Sequence, residues 1–190
     1  MIYFSIMWAI IIYFFNCLLA KKFVIPNPKI ALVYISCVTV VGVFGEVFIG
    51  SVYNFFIGSP LWVYHLLPIH NGYTSYYSLF IWGLYGFHLY LFHENLKGRN
   101  IFQEKRMPSV IAVEAIILEI LFNVSHLWFF GSYIFYYLPN DLWHLTSFVA
   151  VPFYFFAGLI IVKSLKRFIK DPLFFILMSY LFAGVLVFMA

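Results

Sequence analysis

Two cysteines in a chain of 190 residues, Cys17 and Cys37, are too few for a disulfide framework or a metal-binding cluster, and both lie in apolar stretches where a thiol packs as a small core residue. Charge is also scarce: 9% of the residues are Asp, Glu, Lys or Arg, against 65% hydrophobic, and the mean hydropathy is +0.98. No soluble core buries that much apolar surface. A glycine-rich phosphate loop, a Cys/His finger and a catalytic serine elbow are all missing, which removes the commonest nucleotide, zinc and hydrolase signatures. Strict alternation of apolar and polar residues is missing too, and with it the pattern of membrane barrel strands.

What is present is six apolar stretches, 2–20, 30–57, 73–92, 109–130, 142–162 and 172–189, each close to the ~20 residues that carry a helix across bilayer hydrocarbon. The expected fold is all-α, a polytopic membrane bundle of six transmembrane helices forming one domain over 1–190. The first stretch has no basic residues before it, and Lys21 and Lys22 follow it, so it reads as a retained anchor.

All 11 Lys and Arg fall in three connections: Lys21, Lys22 and Lys29; Lys97, Arg99, Lys105 and Arg106; Lys163, Lys166, Arg167 and Lys170. The connections 58–72 and 131–141 have none. With six spans the basic connections share one side, which the positive-inside rule makes cytoplasmic, leaving both termini outside a bacterial inner membrane. The net charge of +4 then reflects orientation and contact with membrane lipid, and no nucleic-acid partner is expected.

Two segments match each other. "GEVFIGSVYNFFIGS" (45–59) and "LEILFNVSHLWFFGS" (118–132) each place a glutamate, Glu46 or Glu119, twelve residues before a Gly-Ser pair. Both continue through a Tyr and Leu-Pro to Thr-Ser. Helices 2 and 3 (30–92) and helices 4 and 5 (109–162) therefore read as a parallel repeat, with Glu46 and Glu119 facing a shared axis along the membrane normal.

An ionised carboxylate in mid-membrane costs at least about 2.5 kcal/mol, so both glutamates should be neutral, paired or turned to a polar cavity. Along helix 4, Glu119, Asn123 and His126 form one polar stripe, and Glu46, Gly50 and Tyr53 form its counterpart on helix 2, with Asn54 beside it. Glu114 is turned by ~140° from that stripe. Interhelical hydrogen bonding is the preferred account of Asn54 and Asn123 alone, whereas two glutamates at matched positions favour chemistry, because Gln or Ser would join helices at lower cost. Above the expected cavity mouth stand His65, His70, Asp141 and His144; none of their pairs has the i, i+4 spacing of a histidine metal site, and Asp141 also fits a helix N-cap. No cofactor is expected, with an outer-side metal at His65, His70 and His144 as the alternative. His88 and His93 are ~140° apart on one helix and cannot share an ion. Trp62, Tyr64, Trp82, Trp128, Tyr136 and Trp143 fit an interfacial belt or, more sharply, an aromatic wall that stabilises cations.

From Glu46 to Trp82 the chain has a glutamate, a Gly shortly after it, a Gly followed by spaced aromatics including Tyr64, a Pro, and a Trp well into the next span. This resembles the pattern of small polytopic carotenoid-biosynthesis proteins and, more loosely, of integral-membrane terpene cyclases. The resemblance implies acid-initiated chemistry on an isoprenoid held between helices. It carries over Glu46 as an acid and leaves the second acid open between Glu119 and Asp141.

The expected function is therefore cyclisation, hydration or isomerisation of an isoprenoid or other lipophilic small molecule, in the lyase or isomerase class. Glu46, Glu119 and Asp141 are the catalytic candidates. Tyr53, Asn54, Trp62, Tyr64, Asn123, His126, Trp143 and His144 are the substrate-binding ones. A proton- or cation-coupled carrier using the same glutamates, or a non-catalytic membrane subunit, are the alternatives.

Overall fold

The computed structural model describes residues 2–96 and 105–189. Among them are six α-helices: α1 Ile2–Ala20, α2 Pro28–Ile57, α3 Ser78–Leu96, α4 Met107–Phe130, α5 Val151–Phe168 and α6 Pro172–Phe188. Four segments, Ile2–Ala20, Pro28–Ile57, Met107–Phe130 and Phe148–Phe168, are long and apolar enough to cross a membrane. The chain thus reads as a membrane-integral helical protein. Proline opens α2, α4, α5 and α6, where its missing N–H costs nothing, and the Asn27 side chain caps α2 by accepting from the Ile30 amide at 3.3 Å. Gly58 and Gly131 end α2 and α4 in the left-handed region, with φ of +77° and +70°, which explains the paired Gly-Ser signals.

The connections between these helices differ most from expectation. Helices were expected from 73 and 142, yet α3 begins at Ser78 and α5 at Val151. The residues in front are spent on short extended pieces: β1 Trp62–Tyr64, β2 Pro68–Ile69, β3 Thr74–Ser75 and β4 Phe135–Tyr137, with 3-10 turns at His70–Gly72 and Phe148–Ala150. Left-handed backbone at Leu67, His70 and Asn71 bends the first connection, and at Trp143 and His144 the second. β2 pairs with β3, and β1 pairs antiparallel with β4 in a register that sets Val63 opposite Tyr136.

This β1–β4 ribbon does not lie on the surface. Leu61, Trp62, Tyr64, Ile134, Phe135 and Tyr137 are at most 8% exposed and pack with Phe4, Trp8 and Phe122 into one core cluster. Both connections therefore fold inward and plug one end of the bundle. Non-helical backbone survives at such depth only if protein satisfies its polar groups. Here the His65 amide donates to the Ile134 carbonyl at 2.9 Å and the Leu138 amide to the Leu61 carbonyl at 2.9 Å.

The opposite end carries Lys21, Lys22, Lys29, Lys105, Arg106, Lys166, Arg167 and Lys170; Lys97 and Arg99 lie outside the described residues. That end is tied by the Asn27 amide donating to the Tyr90 hydroxyl at 2.7 Å and by a Tyr34–His93 hydrogen bond. Cys17 and Cys37 are free and buried, in α1 and α2.

Candidate active site

α2 carries Glu46 three turns, roughly 18 Å, from its Gly58 end. The infolded β1–β3 segment reaches down to meet it. Oε1 of Glu46 accepts from the Tyr64 hydroxyl and from the Trp82 indole N–H at 2.8 Å, and Oε2 accepts from the Thr74 hydroxyl. Thr74 has a second acceptor in the Ser78 hydroxyl oxygen, 3.0 Å away. Glu46 is 7% exposed.

Glu119 on α4 is held by the second infolded segment. Its Oε1 accepts from the Tyr154 hydroxyl and from the Tyr137 hydroxyl at 3.0 Å, and its Oε2 from the Thr146 hydroxyl at 2.5 Å. The chain offsets of the donors match those around Glu46. Each tyrosine from the β1–β4 ribbon follows its glutamate by 18 residues; the threonines follow by 28 and 27; the aromatic donors on the next helix, Trp82 and Tyr154, follow by 36 and 35.

Burial, reinforced by the adjoining carboxyl, pushes the Tyr64 and Tyr137 phenols well above their ordinary range, so both keep their protons and remain donors.

Both glutamates line the same two small cavities, of about 40 and 50 Å³. Tyr64, Trp82, Phe135 and Tyr154 line both, and Trp62 and Tyr137 line the first. Each void holds a water or two. The Trp82 ring is pressed against Gly42, where an added Cβ would fall 2.0 Å from the indole Cδ2.

Of the other sequence candidates, Trp62 lines the cavity and anchors its indole N–H on the Tyr73 carbonyl at 2.7 Å. Asn123 is fully buried and clasps the second infolded segment: its amide donates to the Phe135 and Leu145 carbonyls at 2.9 and 2.8 Å, and its oxygen accepts from the Ile134 amide at 3.1 Å. Gly50 stands at the equivalent place on α2, covered by Tyr73. Replacing Asn123 by Ala strands several buried backbone groups, and thermal unfolding in detergent is expected to show a loss of about 2–4 kcal/mol.

His126 donates from Nδ1 to the Ser132 carbonyl at 2.7 Å, among Phe4 and Phe130, and does not line the cavity. Tyr53 lines a separate apolar groove outside the bundle, and the Asn54 carbonyl accepts the Gly58 cap. Asp141 is exposed; its carboxylate accepts from the Ser147 hydroxyl at 3.0 Å and the Phe148 amide at 2.8 Å, which places it at the entry to α5 and outside both cavities. Trp143 is 76% exposed, and His144 donates to the Tyr137 carbonyl at 2.7 Å while stacking on Tyr136. His65 sits near Tyr136, and His70 bonds the Leu186 carbonyl on α6. Among the described residues no three His, Cys, Asp or Glu side chains are gathered as a metal site.

Tyr137 and Tyr154 were not among the sequence candidates, and neither were Thr74 and Thr146 as site residues. The matched Tyr, Leu-Pro and Thr-Ser positions carried the signal for three of them. For Tyr154 only its offset from Glu119 did, visible once Trp82 is known to bond Glu46. No protein-family model matches the chain, and no curated protein or solved structure is significantly similar to it.

Proposed function

We propose that the protein is an integral-membrane enzyme that performs acid/base chemistry, a cyclisation, hydration or isomerisation, on an isoprenoid or other lipophilic substrate. The carrying observation is that two carboxyls, each gripped by three O–H or N–H donors at matched chain offsets, line common cavities walled by aromatic rings. In this reading the chain crosses the bilayer six times with its basic connections in the cytoplasm. Helices α2 and α3 with their infolded segment, and α4 and α5 with theirs, are two parallel copies of one unit. The likeness of Glu46–Trp82 to carotenoid-biosynthesis proteins and membrane terpene cyclases points the same way.

The donor sets support a division of labour. The Trp82 N–H can only donate, so Oε1 of Glu46 stays an acceptor; Thr74 can turn its hydrogen to Ser78, which lets Oε2 carry a proton. Glu46 is therefore the acid. Around Glu119 the Tyr154 and Thr146 hydroxyls donate to one oxygen each, and the Tyr137 hydroxyl lies between the carboxyl and the Tyr154 hydroxyl, 3.2 Å away; a carboxyl with a donor on each oxygen suits the part of the base. Glu46 protonates a substrate double bond and a carbocation forms against Trp62, Trp82, Phe135 and Tyr154. Attack by an internal alkene closes a ring, or attack by water adds a hydroxyl; Glu119 then removes the surplus proton. Protons gained and lost balance, and cavity water returns one from Glu119 to Glu46. Entry of a substrate end enlarges the water-sized voids by displacing Ile49 and Phe153, apolar lining side chains that hold neither carboxyl.

The test is chromatography and mass spectrometry of lipids from membranes with and without the protein. Cyclisation or isomerisation gives a new retention time at unchanged mass, and hydration adds the mass of one water. An unchanged lipid profile, together with purified protein that carries no recurring lipophilic molecule, removes the proposal.

A second reading has one observation in its favour: all four carboxyl oxygens are already occupied by donors. The glutamates would then be anchors that hold the infolded segments in the bundle.

A further inference from the structure

Beside the glutamate cavities runs a much larger space, a groove of about 750 Å³ on the outer face of α2 and α5 with Phe182 of α6 on its rim. Its wall is hydrocarbon and aromatic, with Tyr53 as the one hydroxyl-bearing side chain among the lining residues. A volume of this order accommodates a drug-sized or lipid-sized ligand. Bilayer acyl chains fill any such furrow, so apolarity alone identifies nothing.

The decisive feature is what the groove adjoins. Val41, Gly45, Ile49, Phe153 and Ala157 line both the groove and the cavity that holds Glu46 and Glu119. The partition between hydrocarbon space and carboxyls is thus one layer of side chains thick, and two of its members, Gly45 and Ala157, are nearly bare backbone. A Cβ built on Gly45 meets nothing within 4 Å. On the neighbouring turn, by contrast, Gly42 is sealed by Trp82. The opening is therefore local to Gly45 and Ala157.

We propose that this groove binds the apolar chain of the reactant, a long hydrocarbon. The chain enters sideways from the bilayer between α2 and α5, and its reacting end passes through a neck at Gly45 and Ala157 to the glutamates. The proposal rests on the acid/base reading for what happens at the far end, and on the shared wall alone for the route. A molecule bound this way keeps its greasy length out of water throughout, which removes the desolvation barrier that an approach through the polar end would impose.

The probe is geranylgeraniol carrying a photoreactive diazirine at its terminal isoprene unit, presented to the full-length protein in phosphatidylcholine nanodiscs, with crosslinks mapped by peptide mass spectrometry. Labelling is expected on α3 and α5 peptides containing Trp82 and Tyr154, and on groove residues such as Phe48. Gly45→Phe fills the neck and should lower the Trp82 and Tyr154 labelling by at least about tenfold while sparing the groove. Gly45→Ala should leave both. Ala157→Phe, on the opposite wall, serves if Gly45→Phe does not fold. The proposal is overturned if wild-type protein shows no cavity labelling while diazirine phosphatidylcholine labels the groove equally, which would make the groove a seat for boundary lipid. It is overturned equally if the plugged variants label the cavity like wild type. Crosslinking needs no turnover, so a labelled cavity with no conversion would sink the acid/base reading and leave the route standing.

Discussion

On the proposed acid/base reading, conversion of a lipophilic substrate is expected to fall at least about a hundredfold in Glu46→Gln and in Glu119→Gln, with Glu46→Gln folding almost as well as the parent. Glutamine keeps the shape and most of the hydrogen bonds. At position 46 the amide oxygen still accepts from Tyr64 and Trp82, and the amide nitrogen donates to Thr74, whose hydrogen turns to Ser78. The cost in stability should stay within about 1 kcal/mol. Glutamine at 119 leaves the Thr146 hydrogen facing a donor, so that variant should lose somewhat more. Glu46→Leu is the informative contrast. It strands the Tyr64 and Trp82 donors at about 1–3 kcal/mol each, Thr74 keeping Ser78 as its acceptor, and the protein should be recovered in poor yield or melt lower in detergent. Lipid chromatography on membranes bearing each variant, paired with thermal melts, separates the readings. If the Gln variants retain full conversion, the carboxyls are anchors and not reagents.

Of the three glycines on α2, Gly42 should be the least tolerant of alanine. The new Cβ would sit 2.0 Å from the Trp82 Cδ2, well inside contact distance, so the indole must move and its 2.8 Å bond to Glu46 is lost. Overpacking of this kind costs about 1–3 kcal/mol. Activity should fall with it, since the acid loses its one obligate donor. Truncating the ring in the pair Gly42→Ala/Trp82→Leu should restore part of the stability and none of the activity, a coupling readable by a double-mutant cycle. Gly45→Ala, less than one turn away, is expected to behave oppositely. Its methyl enters open space and removes a flexible residue from a helix interior, so stability should hold or rise by up to about 1 kcal/mol, read as an unchanged or higher melting temperature.

Much of this architecture was legible in one dimension. The apolar stretches 2–20, 30–57, 109–130 and 172–189 agree with α1, α2, α4 and α6 to within two residues at each end, because helix formation in an apolar chain follows local hydropathy, proline starts and glycine stops. Glu46 as an acid and Trp62 and Tyr64 as substrate-binding residues were on the sequence-derived roster, and all three line one cavity; that Tyr64 bonds Glu46 was not on it. Others on that roster went elsewhere: Asn123 to the backbone of the infolded segment, Asp141 to the start of α5, His144 to a carbonyl, and Trp143 to the surface. Residue type made them candidates, and the course of the chain between helices reassigned them.

By itself, the sequence determined that this chain forms long apolar helices of a membrane-integral kind and that it holds two acids each twelve residues before a Gly-Ser helix end, since burial energy per residue and spacing along a helix are local quantities. Only the tertiary structure decided that the uncharged connections fold inward, pair as β1 with β4, and bring Tyr64, Thr74 and Trp82 to one acid and Tyr137, Thr146 and Tyr154 to the other. The donors lie up to 36 residues from their glutamates and the β1–β4 pairing joins residues as far apart as Trp62 and Tyr137; these contacts arise because a buried carboxyl and a buried non-helical backbone each lack water and must find partners in the same interior.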